Sequence, residues 1–180
     1  MIRTTPRVIN PYNLERCTPL LTSVKLRIYD TTYFLVTHGA DVNVIDEESG
    51  NTPVMIAVQL NDIATIRLLL LADVRNINNT NCNGDSALIM AIERNNIDAA
   101  KLLLKNGADV NIKNGEGENL IALAEQQDNQ EMIEILISHG AIVNHREVQE
   151  GSSADDVEYS NYVIIETGGA SMVENDTNSS

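Results

Sequence analysis

Apolar residues in this sequence come in short bursts at helical spacing, divided by polar, often Asn-containing turns. Ile97, Ala100, Leu103 and Leu104 mark one face of such a helix. Three landmarks recur in fixed order. A Gly precedes a small helix start in Gly50-Asn51-Thr52-Pro53-Val54, Gly84-Asp85-Ser86-Ala87-Leu88 and Gly117-Glu118-Asn119-Leu120-Ile121, at intervals of 34 and 33 residues. A leucine-rich run follows at Leu68-Leu69-Leu70, Leu102-Leu103-Leu104 and Ile135-Leu136-Ile137. A Gly-Ala turn closes the unit at Gly39-Ala40-Asp41-Val42-Asn43, Gly107-Ala108-Asp109-Val110-Asn111 and Gly140-Ala141-Ile142-Val143-Asn144.

The local chemistry fits helix pairs. Thr18, Thr52, Ser86 and Asn119 are N-cap types, whose side-chain oxygen satisfies a free helix N–H. Pro19 and Pro53 follow at the first helical position, where a missing N–H costs nothing. The first helix is predicted to reach about Leu60, Arg94 or Gln127. Polar turns follow at Asn61-Asp62, Asn95-Asn96 and Asp128-Asn129, and then a second helix. Asp98 and Lys105 suit the two ends of that helix's dipole. Gly39, Gly107 and Gly140 sit where a helix ends on a left-handed residue. One helix pair is too small to bury its apolar face alone, and stacking completes the core. The expectation is an all-α solenoid of about four helix-turn-helix units with β-turn fingers, at 14–46 (a degenerate cap), 47–80, 81–114 and 115–147. An extension, 1–13, precedes them.

The Thr-Pro-Leu-type helix start, the Leu-Leu-Leu run and Gly-Ala-Asp-Val-Asn together resemble the ankyrin repeat family, over about three quarters of the chain. The sequence departs from the family in three places. Leu21, Met55, Ile89 and Ala122 replace the His after Thr-Pro-Leu, so the hydrogen bonding it supports at the helix start should be missing. The first unit reads Ser23-Val24-Lys25-Leu26-Arg27 where the family has an Ala-Ala-x-x-Gly turn. The second reads Leu71-Ala72-Asp73-Val74-Arg75, so either its second helix is shortened or Asp73 holds the Gly position.

Charge narrows the partners. The net charge of −14 repels phosphate backbones and anionic membrane surfaces, which argues against nucleic-acid and membrane binding. A basic partner would be attracted, although the charge also serves plain solubility. Cys17 and Cys82 lack metal-ligand or disulfide-scaffold spacing, pointing to a reducing, cytoplasmic setting. The N-terminus lacks the apolar stretch of a secretory signal, and apolar stretches such as Ile66 to Ala72 are too short to span a bilayer. From Val148 the periodicity stops. Residues 148–180 hold seven acidic residues and no Lys or Arg, a composition expected to be disordered. The apolar island Tyr159 to Ile165 either caps the last repeat or serves as a linear motif.

No catalytic set emerges. His38 and His139 precede helix-ending glycines, where they cap carbonyls, and His145 has no metal-spaced companions. There is no Gly-rich phosphate loop and no Gly-x-Ser-x-Gly. No enzyme, metal or cofactor is expected.

The resemblance implies binding to another protein through finger tips and the exposed face of the first helices. Carried over by position, the finger residues are Glu47, Glu48, Asn51, Cys82, Asn83, Asp85, Gly115, Glu116 and Glu118. The helix positions are Gln59, Leu60, Glu93, Arg94, Gln126 and Gln127, with Leu60 as an exposed apolar anchor. The acidic finger row either meets a basic patch or is a solvated rim. The implied function is a monomeric, non-catalytic binding adaptor, an effector in a host cell reached by non-classical secretion. The alternative is a stoichiometric inhibitor of one target, similar to kinase inhibitors or the inhibitor of NF-κB.

Overall fold

The computed structural model describes residues 17–72 and 74–142. Residues 1–16, Asp73 and 143–180 lie outside it, and with them the N-terminal extension, the acidic tail with its island, and His145. Eight helices form four antiparallel pairs among the described residues: α1 (Pro19–Lys25) with α2 (Tyr29–Thr37), α3 (Pro53–Gln59) with α4 (Ile63–Leu70), α5 (Ala87–Glu93) with α6 (Ile97–Lys105), and α7 (Leu120–Gln126) with α8 (Gln130–Ser138). First helices stack on first helices and second on second, so each pair touches its neighbours.

Each first helix starts on the cap that the sequence predicts. Thr18 Oγ1 accepts from Leu21 N at 3.2 Å, Thr52 Oγ1 from Met55 N at 3.3 Å, Ser86 Oγ from Ile89 N at 3.3 Å and Asn119 Oδ1 from Ala122 N at 2.8 Å. Three second helices are capped by Asp62, Asn96 and Asn129. The exception is α2, whose N-cap position holds Ile28 and makes no side-chain cap bond. The turn inside every pair needs one left-handed residue, supplied by Arg27, Asn61, Asn95 and Asp128 at φ of 51–57°. The first unit thus makes its turn with Arg27 in place of Gly. His38 and His139 each place Nδ1 2.8 Å from the carbonyl one turn back, capping a helix end.

Two expectations are sharpened. Met55 does support its helix start, since the Thr52 N–H donates to its sulfur at 3.3 Å. A thioether is a weak acceptor, but it closes a reciprocal cap of the kind the family's His would serve. In the second unit α4 has eight residues where α2, α6 and α8 have nine, and Asp73, the other candidate for the Gly position, lies outside the described residues.

The core is aliphatic and runs the length of the stack. Leu20, Leu21, Met55, Leu88, Ile89, Ile92 and Leu120 come from first helices, and Ile66, Leu69, Leu103, Met132 and Leu136 from second helices. Each contributes about 1.5–3 kcal/mol by leaving water. Buried Ala57, Ala91, Ala99, Ala100 and Ala124 let neighbouring helices approach closely. The buried polar pair Ser23–Thr32 is satisfied: Thr32 donates to Ser23 Oγ at 2.9 Å, and Ser23 to the Leu20 carbonyl.

Candidate partner-binding surface

Between the pairs the chain projects three turns, residues 46–51, 81–85 and 114–118. Each is closed by a backbone bond across its base: Asp46 N to Asn51 O at 2.9 Å, Asn81 N to Asp85 O at 3.0 Å and Asn114 N to Glu118 O at 3.0 Å. A side chain braces each turn from its first residue. Asn81 Oδ1 accepts from the Asn83 and Asp85 N–H groups, and Asn114 Oδ1 from those of Glu116 and Glu118. The first finger has one residue more and uses a carboxylate. Asp46 accepts from Ser49 Oγ at 2.6 Å and pairs with Lys25 Nζ at 2.7 Å.

The fingers are stacked tightly. The Cys82 N–H donates to the Ser49 carbonyl at 3.0 Å, and Asn81 Nδ2 to Asn51 Oδ1 at 3.0 Å. A Cβ at Gly115 would lie 2.1 Å from the Asn83 carbonyl oxygen, so only Gly fits there. Gly115 therefore holds the third finger against the second.

Glu47, Glu48, Cys82, Asn83, Gly115 and Glu116 are exposed at the finger tips, and Asp85 and Glu118 are half-buried. On the helices, Gln59, Glu93, Arg94 and Gln126 are exposed and Gln127 is half-buried. Two expected contacts need correction. Asn51 is only 5% exposed and spends its side-chain oxygen on Asn81, so it braces the stack and is not available to a partner. Leu60 is half-buried and packs on the core, so it is no exposed anchor.

Electrostatics divides the acidic row in two. Although the Glu93 side chain is exposed, partial desolvation of its carboxyl, then the charges of Asp85, Glu116 and Glu118, raise it above its ordinary value, against the opposing pull of Arg94. Those four carboxylates therefore share one field. Glu118 is held in place by Gln126 Nε2 at 2.8 Å and Asn114 Nδ2 at 3.0 Å, while Gln127 Nε2 ties to the Glu93 carbonyl. Glu48 belongs to a different group, beside Lys25 and Asp46. Burial pushes the Asp46 carboxyl up, but bonds from Lys25 and Ser49 and the Lys25 charge outweigh it and leave it below its ordinary value. Neither Asp46 nor Lys25 was singled out by sequence. The available signal was the single carboxylate at a finger position otherwise held by Asn.

Among the described residues, no three His, Cys, Asp or Glu side chains converge as a metal site. No helix there is long and apolar enough to cross a membrane.

Paired helices stacked in one dimension, with braced fingers presenting polar side chains, define a repeat solenoid with an extended binding surface. The chain belongs to the ankyrin-repeat family, matching Ankyrin repeats (3 copies) over residues 20–114 and 70–147. Ankyrin repeats are a protein–protein interaction module, and the family is typically non-catalytic. The chain is 32% identical over 96 residues to the B-cell lymphoma 3 protein homolog of Mus musculus, a match covering 53% of this chain and 21% of that protein. It is 33% identical over 99 residues to the putative ankyrin repeat protein FPV031 of Fowlpox virus (strain NVSL), covering 54% of this chain and 29% of that one. The chain thus spans less than a third of the length of these curated relatives.

Proposed function

We propose that this chain is a non-catalytic binding adaptor that engages a basic patch on another protein through its second and third fingers and the adjoining first helices. The observation that carries the reading is the shared field of Asp85, Glu93, Glu116 and Glu118. A carboxyl whose proton affinity is raised by neighbouring negative charges, as that of Glu93 is, is relieved when a cation approaches. Glu47, Glu48, Gln59, Cys82, Asn83, Arg94, Gly115, Gln126 and Gln127 complete the proposed surface as rim, where charges steer encounter more than they hold the complex. We place the repeats at 14–46, 47–80, 81–114 and 115–147, with 1–13 and the acidic segment 148–180 flanking them. The same charge disfavours nucleic acid. Likeness to a fowlpox virus ankyrin protein favours action in host cytoplasm; the monomeric state and entry by non-classical secretion are further parts of the proposal.

The test is reversal of Glu47, Glu48, Asp85, Glu116 and Glu118 to Lys, read as association kinetics with the partner found by an interaction screen. Association should slow about tenfold or more at low salt, and its salt dependence should weaken. Unchanged kinetics would sink the acidic-surface reading. A single partner bound one-to-one and silenced would favour the inhibitor; two partners, one lost on removing 148–180, the adaptor.

A further inference from the structure

The aromatic residues of the described chain all lie on α2: Tyr29, Tyr33 and Phe34. They are 42%, 52% and 57% exposed, and Leu26 and Ile28 beside them are 64% and 45% exposed. Tyr29 and Tyr33 stack with ring centroids 6.4 Å apart, and His38 stacks on Phe34 at 3.9 Å. The other units treat these positions differently. Where α2 has Tyr33, the other second helices carry exposed Arg67, Lys101 and Glu134. Where the first pair has Ile28, the others have the polar caps Asp62, Asn96 and Asn129. Phe34 corresponds to Leu68, Leu102 and Ile135, which are buried or half-buried where another pair precedes them. Phe34 therefore continues the interface along which the pairs stack, at the first described pair, and Ile28 and Tyr33 extend it as apolar surface at positions that are polar in the other units.

An exposed patch of this kind marks a docking surface. We propose that it receives the chain's own N-terminal segment, with Val8, Ile9, Tyr12 and Leu14 laid over Leu26, Ile28, Tyr29, Tyr33 and Phe34. Those four residues lie outside the described ones, and three physical arguments point to them. The first is reach. Cys17 enters α1 directly, and nine extended residues before it span about 30 Å, against roughly 10 Å for a seven-residue helix. The second is tethering. A short covalent linker holds the segment at an effective concentration of about millimolar, so weak apolar contacts suffice. The third is charge. Arg3, Arg7 and Arg16 against Glu15 make this segment net positive in a chain of net charge −14, and Asp30 is exposed on α2. That charge also opposes a second copy as occupant. The inference is independent of the acidic finger surface.

The test is limited trypsin cleavage after Arg7 in the full chain, compared with a free peptide of residues 1–16. When reclosing is fast, cleavage tracks the undocked population. The full chain should be cut about tenfold more slowly than the peptide. Phe34→Asp and Ile9→Asp should each restore the peptide rate in a chain that sediments as a monomer. Ile9→Asp lies outside the eight helices, so it keeps the test decisive if Phe34→Asp lowers stability. Equal rates in chain and peptide would overturn the proposal. So would protection that survives both substitutions, which places the segment elsewhere. Protection lost on dilution along with a dimer would also overturn it, in favour of a second copy.

Discussion

Gly115→Ala should loosen the third finger from the second. The new Cβ would sit 2.1 Å from the Asn83 carbonyl oxygen, whereas ordinary contacts begin at 3.4 Å, so the two turns must part by about 1.3 Å. The obstructing atom is backbone, which cannot rotate aside, and Asn83 is itself held by the Asn81 side chain. Overpacking of this kind costs about 1–3 kcal/mol. Gly107→Ala is the control. It meets nothing within 4 Å and suffers only the left-handed penalty of φ +87°, about 1 kcal/mol. Urea unfolding should show a lower midpoint at unchanged slope for Gly115→Ala. Amide shifts at Cys82 and Asn83 should move for Gly115→Ala and stay put for Gly107→Ala. A Gly115→Ala chain with wild-type midpoint and unshifted second-finger amides would refute the close-stacking argument.

Asp46→Ala removes the Lys25 pair and the Ser49 bonds and should cost about 1–3 kcal/mol in urea unfolding. Because the folded carboxyl lies below its ordinary value, that contribution is present above about pH 4 and is lost as pH falls through the folded value, so wild type and variant should converge in acid. The raised Lys25 value adds stability present below about pH 10 and lost as pH rises through its folded value. Asn96→Ala removes both the cap on Ala99 N and the bond from Asn96 Nδ2 to Asn61 Oδ1, and should lower stability by about 1 kcal/mol or slightly more by thermal denaturation. Glu93→Gln should stabilise slightly at neutral pH, by no more than a few tenths of a kcal/mol because the side chain is exposed and salt-screened. Its raised folded value means the penalty is present at higher pH and is relieved as pH falls through that value, so the gain should vanish in acid.

Caps, helix pairs and fingers were legible because each rests on neighbours in sequence: Thr18, Thr52, Ser86 and Asn119 act within three residues of themselves. Contacts between units were not. Burial of Asn51 depends on Asn81, thirty residues on, and the cover over Leu60 depends on how neighbouring pairs pack. The division of the acidic row depends on Lys25 reaching Asp46, twenty-one residues away. Gly115 looked like a contact residue because its turn was recognisable; its steric role appears only once the Asn83 carbonyl is in place. Ile28 did carry a local signal, an aliphatic residue where the other three units place a cap.

The finger braces also bear on how the molecule ages. Asp46, Asn81 and Asn114 hold the same place in their turns, but only Asn114 is followed by Gly, the pairing in which a side-chain amide is most readily attacked by the next backbone nitrogen and hydrolysed. Conversion to Asp would keep the acceptor oxygen that holds Glu116 and Glu118, as the carboxylate at Asp46 already does for Ser49. An old preparation would then carry one more negative charge in its third finger, with the backbone acceptor kept but the amide donor to the Glu118 carboxylate lost. Rearrangement to isoaspartate would instead lengthen the backbone beside Gly115, where no space remains.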